Sequence, residues 1–414
     1  MIRPSRRLLE AVAVCGLLAA AGVLFSRNID TAPSYDEGVY LASLDALRHG
    51  QTLGSQVFAS QPPGFYLILR LVALPSGNSI SGIRTGFLLV ALGGCLAAYL
   101  LGRRLSGPAA GFAAAGLIAV APPFPSEAPR VEADVPSVAL ALASLAVAAY
   151  AFGRGRPFLA ALAGGLLAAA VSVKFLALPA VVPFVALAVA QRATRRQVVA
   201  AALGAVVVVA VLLALYAGVL GELWGQAVRF HDRARSYPGP NDNAGRLSDF
   251  FDLRTPFSWL VPLGLVASLW TRRVWPLWLF APAAVAFLLW QKSLFDHHLV
   301  LLSAALALPA GLALGALVTR LPHRLALAAA GALVAALALA LGQQIRRIDY
   351  ARVTTTQDVE WGVATLAKCT SPGELVASDQ PIVAFRAHRQ LPGELVDTSL
   401  VRVETSSLTS ARIL

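Results

Sequence analysis

Apolar residues in this chain run in long blocks rather than alternating with polar ones. Eleven blocks are long enough, or nearly so, to cross a bilayer: 8–26, 84–101, 108–123, 135–152, 158–173, 175–190, 197–218, 256–270, 275–290, 299–318 and 325–342. A spanning helix takes about 20 residues, and several blocks are shorter. The pair around Lys174 reads either as two spans or as one broken helix. Counting it as two puts the Arg-bearing turns at 195–196, 272–273 and 320–324 on one side of the membrane, which favours two. An all-α polytopic membrane protein with about 11 transmembrane helices follows.

Charge orients it. One set of turns carries Arg103 and Arg104, Arg154 and Arg156, Arg195 and Arg196, Arg272 and Arg273, and Arg320 and Arg324, with no acid. The other set and the tail carry every Asp and Glu of the 22 in the chain except Glu10. Basic turns face the cytoplasm, so the expected topology is N-in and C-out, with the carboxylates on the extracytoplasmic face. Arg3, Arg6 and Arg7 precede an apolar run from Leu8 to Phe25. That run is too long for a signal peptide core, so it reads as an uncleaved first helix.

Composition agrees. Of the 414 residues 57% are hydrophobic and 14% charged, with a net charge of +12, whereas soluble domains are about 25% charged. The excess cations sit at helix ends and do not alternate with aromatics. They read as topology signals and anionic-lipid contacts, not as a nucleic-acid surface. Arg outnumbers Lys 31 to 3, a usage typical of GC-rich bacterial genomes. The three cysteines show neither a disulfide framework nor metal-ligand spacing.

Three outer segments are long. In the first, 27–83, residues Glu37 to His49 carry Val39, Leu41, Leu44 and Leu47 near one helical face, suited to the membrane interface. Gln61-Pro62-Pro63-Gly64 then breaks the chain before a second apolar patch, Phe65 to Leu69. The second, 219–255, holds His231-Asp232-Arg233 and Pro238-Gly239-Pro240-Asn241, and reads as a mobile loop or lid. The third, 343–414, has soluble composition and repeats Pro-Gly-Glu-Leu-Val at 372–376 and 392–396. Each copy reads as a turn into a strand, with a helix between, giving a small α/β unit. Spans and tail divide the chain into 1–342 and 343–414.

Candidate chemistry gathers in these outer segments. Asp36, flanked by Tyr35 and Glu37, lies ten residues past the first span; it is a reactive carboxylate or a helix N-terminal charge. The Pro-flanked turn Glu127-Ala128-Pro129-Arg130-Val131-Glu132-Ala133-Asp134 is a second acidic cluster. If it is extended, Glu132 and Asp134 point the same way. Arg84, Lys174, Lys292, His297 and His298 are outer cations suited to a phosphate. Lys174 equally suits snorkelling, and Asp296-His297-His298 alone offers too few ligands for zinc.

Taken together, Tyr35-Asp36-Glu37, Gln61-Pro62-Pro63-Gly64-Phe65-Tyr66, Arg130-x-Glu132-x-Asp134-x-Pro136 and Asp296-His297-His298-Leu299 resemble the GT-C glycosyltransferases. The similar branch contains the protein O-mannosyltransferases (glycosyltransferase family 39) and the aminoarabinose transferase that acts on lipid A. The resemblance covers roughly residues 1–345. It implies a plasma-membrane enzyme that moves a hexosyl or pentosyl group from a polyprenyl-phosphate donor to an acceptor on the extracytoplasmic face. Asp36 maps onto the catalytic base; Asp134, with Glu132 as its rival, maps onto a second acid. Tyr35, Glu37, Gln61, Tyr66, Arg84, Arg130, Lys174, His297 and His298 map onto substrate contacts. Close relatives often carry a basic residue where Gln61 stands. The family varies in metal dependence, and no metal ligands are assigned.

The chemistry is coherent. A polyprenyl phosphate leaves as an anion and needs cations rather than a general acid. One carboxylate base can therefore suffice, unlike the two of glycoside hydrolysis, and inversion is expected. The competing reading is a lipid or sugar transporter or flippase. That reading predicts ionisable residues within the spans, and of the acids only Glu10, near one end of the first span, lies within them.

Overall fold

The computed structural model describes residues 5–235, 242–291, 294–352 and 357–409. They form a polytopic helical membrane protein with no sheet among the described residues; two isolated β-bridges, Leu53 with Val57 and Leu375 with Gln390, are the extended pairings. Among the described residues, seven helices are long and apolar enough to span a bilayer. The shorter apolar helices Pro108–Val120, Pro157–Val173, Phe175–Ala190 and Pro256–Trp270 coincide with the remaining predicted blocks.

The break at Lys174 is real and local. Lys174 caps the Pro157–Val173 helix in an extended conformation, and a 3-10 turn, Phe175–Ala180, starts the next segment. Two short helices result, as the Arg turns required.

Burial separates lipid-facing helices from the core. The Arg195–Leu215 helix has a mean hydropathy of 3.1, yet only 6% of its apolar window is buried. Its Val and Leu side chains face outward, as the bilayer allows. The segment Asp296–Val318, 94% buried, is the central post. Small residues permit that packing. A Cβ at Gly311 would strike the backbone of Ala113 and Ala114 on the Pro108–Val120 helix, the close approach typical of helices in lipid.

The outer segments depart from expectation in three ways. The Tyr35–Arg48 helix forms as predicted but does not lie on the interface. Val39, Leu41 and Leu44 are buried, and a Cβ at Gly38 would meet Ile382 of the Pro381–Arg386 helix. The tail thus covers its apolar face instead of lipid. The second apolar patch is the Pro63–Ala73 helix, whose Leu71 is 65% exposed and suits the interface. In the tail the predicted strands do not form. The first repeat contributes one bridge, Leu375 with Gln390, and the second winds into a 3-10 turn, Gly393–Leu395. There Phe58 N–H donates to the Gly393 carbonyl at 3.0 Å, so the second repeat pairs with the first outer segment rather than extending that bridge into a sheet. The segment 219–255 folds into short helices anchored by Leu223 and Phe230; Pro238 to Asn241 of the predicted lid, and Lys292, lie outside the described residues.

Candidate active site

The site grows from one helix start. Ser34 caps the Tyr35–Arg48 helix in a capping box with Glu37: Glu37 N–H donates to Ser34 Oγ at 3.1 Å, and Ser34 N–H to Glu37 Oε2 at 3.1 Å. Both acids therefore fall in the first turn, where the helix dipole favours them.

Glu37 turns inward. Arg84 from the Ile80–Ser106 helix grips it in a two-pronged pair, Nε to Oε1 at 2.9 Å and the second guanidinium nitrogen to Oε2 at 2.6 Å. The remaining Arg84 nitrogen donates to the carbonyls of Ile29 and Thr31 at 2.6 and 2.7 Å. Val131 N–H adds a third donor to Glu37 at 3.0 Å, which draws the acidic turn onto the first outer segment. Burial favours the neutral acid, but the Arg84 guanidinium outweighs it and holds Glu37 below the usual carboxylate range. Expected as substrate contacts, Glu37 and Arg84 instead form a buried strut with its donors engaged.

Asp36 turns the other way. Its side chain is 44% exposed to a cleft, while those of Glu132 and Asp134 are 5% and 2% exposed. His297 stands between the acids, 4.0 Å from Asp36 and 3.9 Å from Glu132. Glu132 also accepts from Ser34 Oγ at 2.7 Å. Asp134 accepts from the Lys174 ammonium at 2.7 Å. Glu132 and Asp134 thus converge, though the turn bends and Asp134 opens the Asp134–Phe152 helix rather than continuing a strand. Arg130 sits 3.5 Å from Glu127 and 3.9 Å from Glu132. Surrounding protein and the Glu132 charge raise the Asp36 carboxyl to about 6, against the pull of His297 and Lys174. Burial lifts Glu127 to about 7, with Arg130 opposing and Glu132 adding to the rise.

The other predicted residues frame the cleft. Tyr35 reaches the tail: its hydroxyl lies 3.3 Å from Asp397 and accepts from Thr398 N–H at 2.9 Å. Gln61 donates to the Tyr40 hydroxyl at 3.0 Å. Tyr66 is buried, and its hydroxyl has no hydrogen-bond partner among the described residues. His298 Nδ1 accepts from Gln291 at 3.0 Å. Asp296 faces away and pairs with Arg246 at 2.9 Å.

Asp134, His297 and His298 each offer a ligand atom within 4.8 Å of the others. Asp134 Oδ1 and Glu132 Oε2 are buried acceptors without a hydrogen-bond partner. Two imidazoles and carboxylate oxygens suit a divalent transition ion, so the residues fit such a group. Sequence reasoning stops at the two histidines because Asp134 is 163 positions away. It also misses Tyr40, His231, whose Nε2 lies 2.8 Å from the Ser60 carbonyl, and Asp397. The one local signal for Asp397 is its place just after the second Pro-Gly-Glu-Leu-Val.

Residues 60–220 match the family model described as dolichyl-phosphate-mannose-protein mannosyltransferase. Superposed on ArnT from Cupriavidus metallidurans bound to undecaprenyl phosphate, the chain gives a TM-score of 0.69 at 14% identity, covering 99% of this chain and 89% of that one. The fold is that of the GT-C glycosyltransferases. The apo state of the same ArnT gives a TM-score of 0.65 at 15% identity, over 92% of this chain and 85% of that one. The Archaeoglobus fulgidus oligosaccharyltransferase gives 0.58 at 12% identity, over 92% and 64%. Comparison with curated protein sequences finds no match. The matched stretch carries Arg130, Glu132, Asp134 and Lys174 of this cluster, while Asp36 and His297 flank it in sequence. The family match and the GT-C fold together support a membrane glycosyltransferase.

Proposed function

We propose that the protein transfers a sugar from a polyprenyl-phosphate donor to an acceptor on the face opposite the Arg turns, with inversion and with Asp36 as general base. The positive-inside rule makes that face extracytoplasmic. The observation that carries the reading is the position of Asp36. It is the carboxylate of this cluster that opens to the cleft, and its affinity for protons is tuned upward, as a base working near neutrality requires. Undecaprenyl phosphate bound to ArnT, which shares the fold, supports a polyprenyl-phosphate donor.

In the transfer, Asp36 takes the proton from the acceptor hydroxyl or amine. The acceptor atom bonds to the anomeric carbon as the bond from that carbon to the phosphate oxygen breaks. The phosphate leaves as an anion with the bond's electron pair. Lys174 and Arg130 are the cations at hand, with side chains 11% and 28% exposed against 1% for Arg84. His297, between Asp36 and Glu132, orients the base. Asp134, His297 and His298 would hold a divalent ion, which when bound would supply positive charge for the leaving phosphate.

The test is transfer from a panel of labelled polyprenyl-phosphate sugars by purified protein and Asp36→Asn. Turnover by the wild type alone, with donor binding kept in both, supports the assignment and names the sugar. Equal turnover in both proteins, or none with any donor, removes it.

A further inference from the structure

The helices that frame the site hold a second cluster at their far ends. The Ile80–Ser106 helix carries Arg84 at the site and Arg104 twenty residues on, about 30 Å away at 1.5 Å per residue. The Val300–Val318 helix likewise runs from beside His298 to Thr319 and Arg320. That distance is about the thickness of a bilayer's hydrocarbon core.

At that end three turns meet around a cavity of about 380 Å³. Its lining includes Arg104, Ser106, Gly107, Thr271, Arg273 and Arg320. Each arginine comes from a different turn of the chain. The positive-inside rule explains why these turns are basic. It does not require three of them to line one cavity, because arginines on separate surfaces would signal topology equally well.

Among the described residues, no carboxylate lines the cavity. Nearby Glu10 is held by Arg103 and Tyr99 instead. Arg104 lies over the Tyr150 ring at 5.7 Å, and its Nε is buried without a hydrogen-bond partner. Three like charges around one cavity repel unless an anion joins them. Guanidinium forks match phosphate oxygens in geometry as well as charge.

We propose that this cavity binds a phosphate-bearing group, held by Arg104, Arg273 and Arg320. Two sources share that chemistry: the headgroup of an anionic phospholipid in the same leaflet, and a free phosphate. The site is separate from the transferase cleft and does not depend on that reading.

The test measures binding to the purified full chain by native mass spectrometry. The ligands are a short-chain phosphatidic acid, the matching phosphatidylcholine and inorganic phosphate. Arg273→Gln/Arg320→Gln replaces two exposed cavity residues. Arg195→Gln/Arg196→Gln removes two exposed charges from a turn outside the cavity and serves as the control. Phosphatidic acid is expected to bind saturably, at least tenfold more weakly in the cavity variant and unchanged in the control. Competition by inorganic phosphate at a similar concentration would identify a soluble phosphate as the ligand; its failure to compete would identify the lipid. Equal weakening in both variants, or no saturable binding of either phosphate compound, would overturn the site.

Discussion

Asp36 and Glu37 are neighbours in one helical turn, and they face opposite fates. Glu37 is sealed in, receives donors from Arg84, Val131 and Ser34, and stays ionised. Asp36 opens to a cleft, and the surrounding protein, with the Glu132 charge adding to it, raises its proton affinity. About 100° of rotation per residue separates a strut from the proposed base. A carboxylate surrounded by fixed donors is stable because its charge is already satisfied, which makes it a poor base. One short of donors near other negative charge is poised to take a proton.

Breaking each side of this pair gives different losses. Asp36→Asn should lower turnover about 10²- to 10⁴-fold, the usual range for a general base, with thermal stability in detergent unchanged. Arg84→Ala should leave Glu37 buried and unpaired, at a cost of about 3–5 kcal/mol, seen as a drop in Tm. A Tm close to that of the wild type would show that the strut is dispensable. The pH profile sharpens the contrast. Asp36 must be ionised to act, so kcat/KM should rise with pH, level off above about 6, and fall tenfold per unit below it. In Asp36→Asn the residual rate should lose that limb; an inflection kept in the variant would assign it to another group.

Smaller effects are expected around the cleft. Lys174→Ala should raise the apparent KM for donor several-fold, and an unchanged KM would remove Lys174 from phosphate contact. His298→Ala should weaken saturable Zn²⁺ or Mn²⁺ binding measured by calorimetry on the chelator-treated protein. Identical binding in both proteins would exclude His298 as a ligand.

Much of this was legible in the chain. The apolar blocks outlast any soluble helix face, and lipid permits apolar residues all round a helix, so the spans follow from sequence. The split at Lys174 followed from the Arg turns on either side. Asp36, Glu132, Asp134, Lys174, His297 and His298 all come to one place, as their shared outer location implied. The tail was misread because strand propensity in Leu375-Val376 and Leu395-Val396 depends on a partner. The available partner for Gly393 was the first outer segment, and the pairing left no sheet.

The sequence alone determined which segments are apolar enough for lipid, that the acids gather in one alternating set of turns and the tail, and which residues were candidates for chemistry. These depend on hydropathy and charge, which each segment carries by itself. Only the tertiary structure decided that Arg84 pairs with Glu37, that Asp134 joins two histidines, and that three arginines share one cavity. Those outcomes depend on distances between segments far apart in the chain, and no local pattern encodes them.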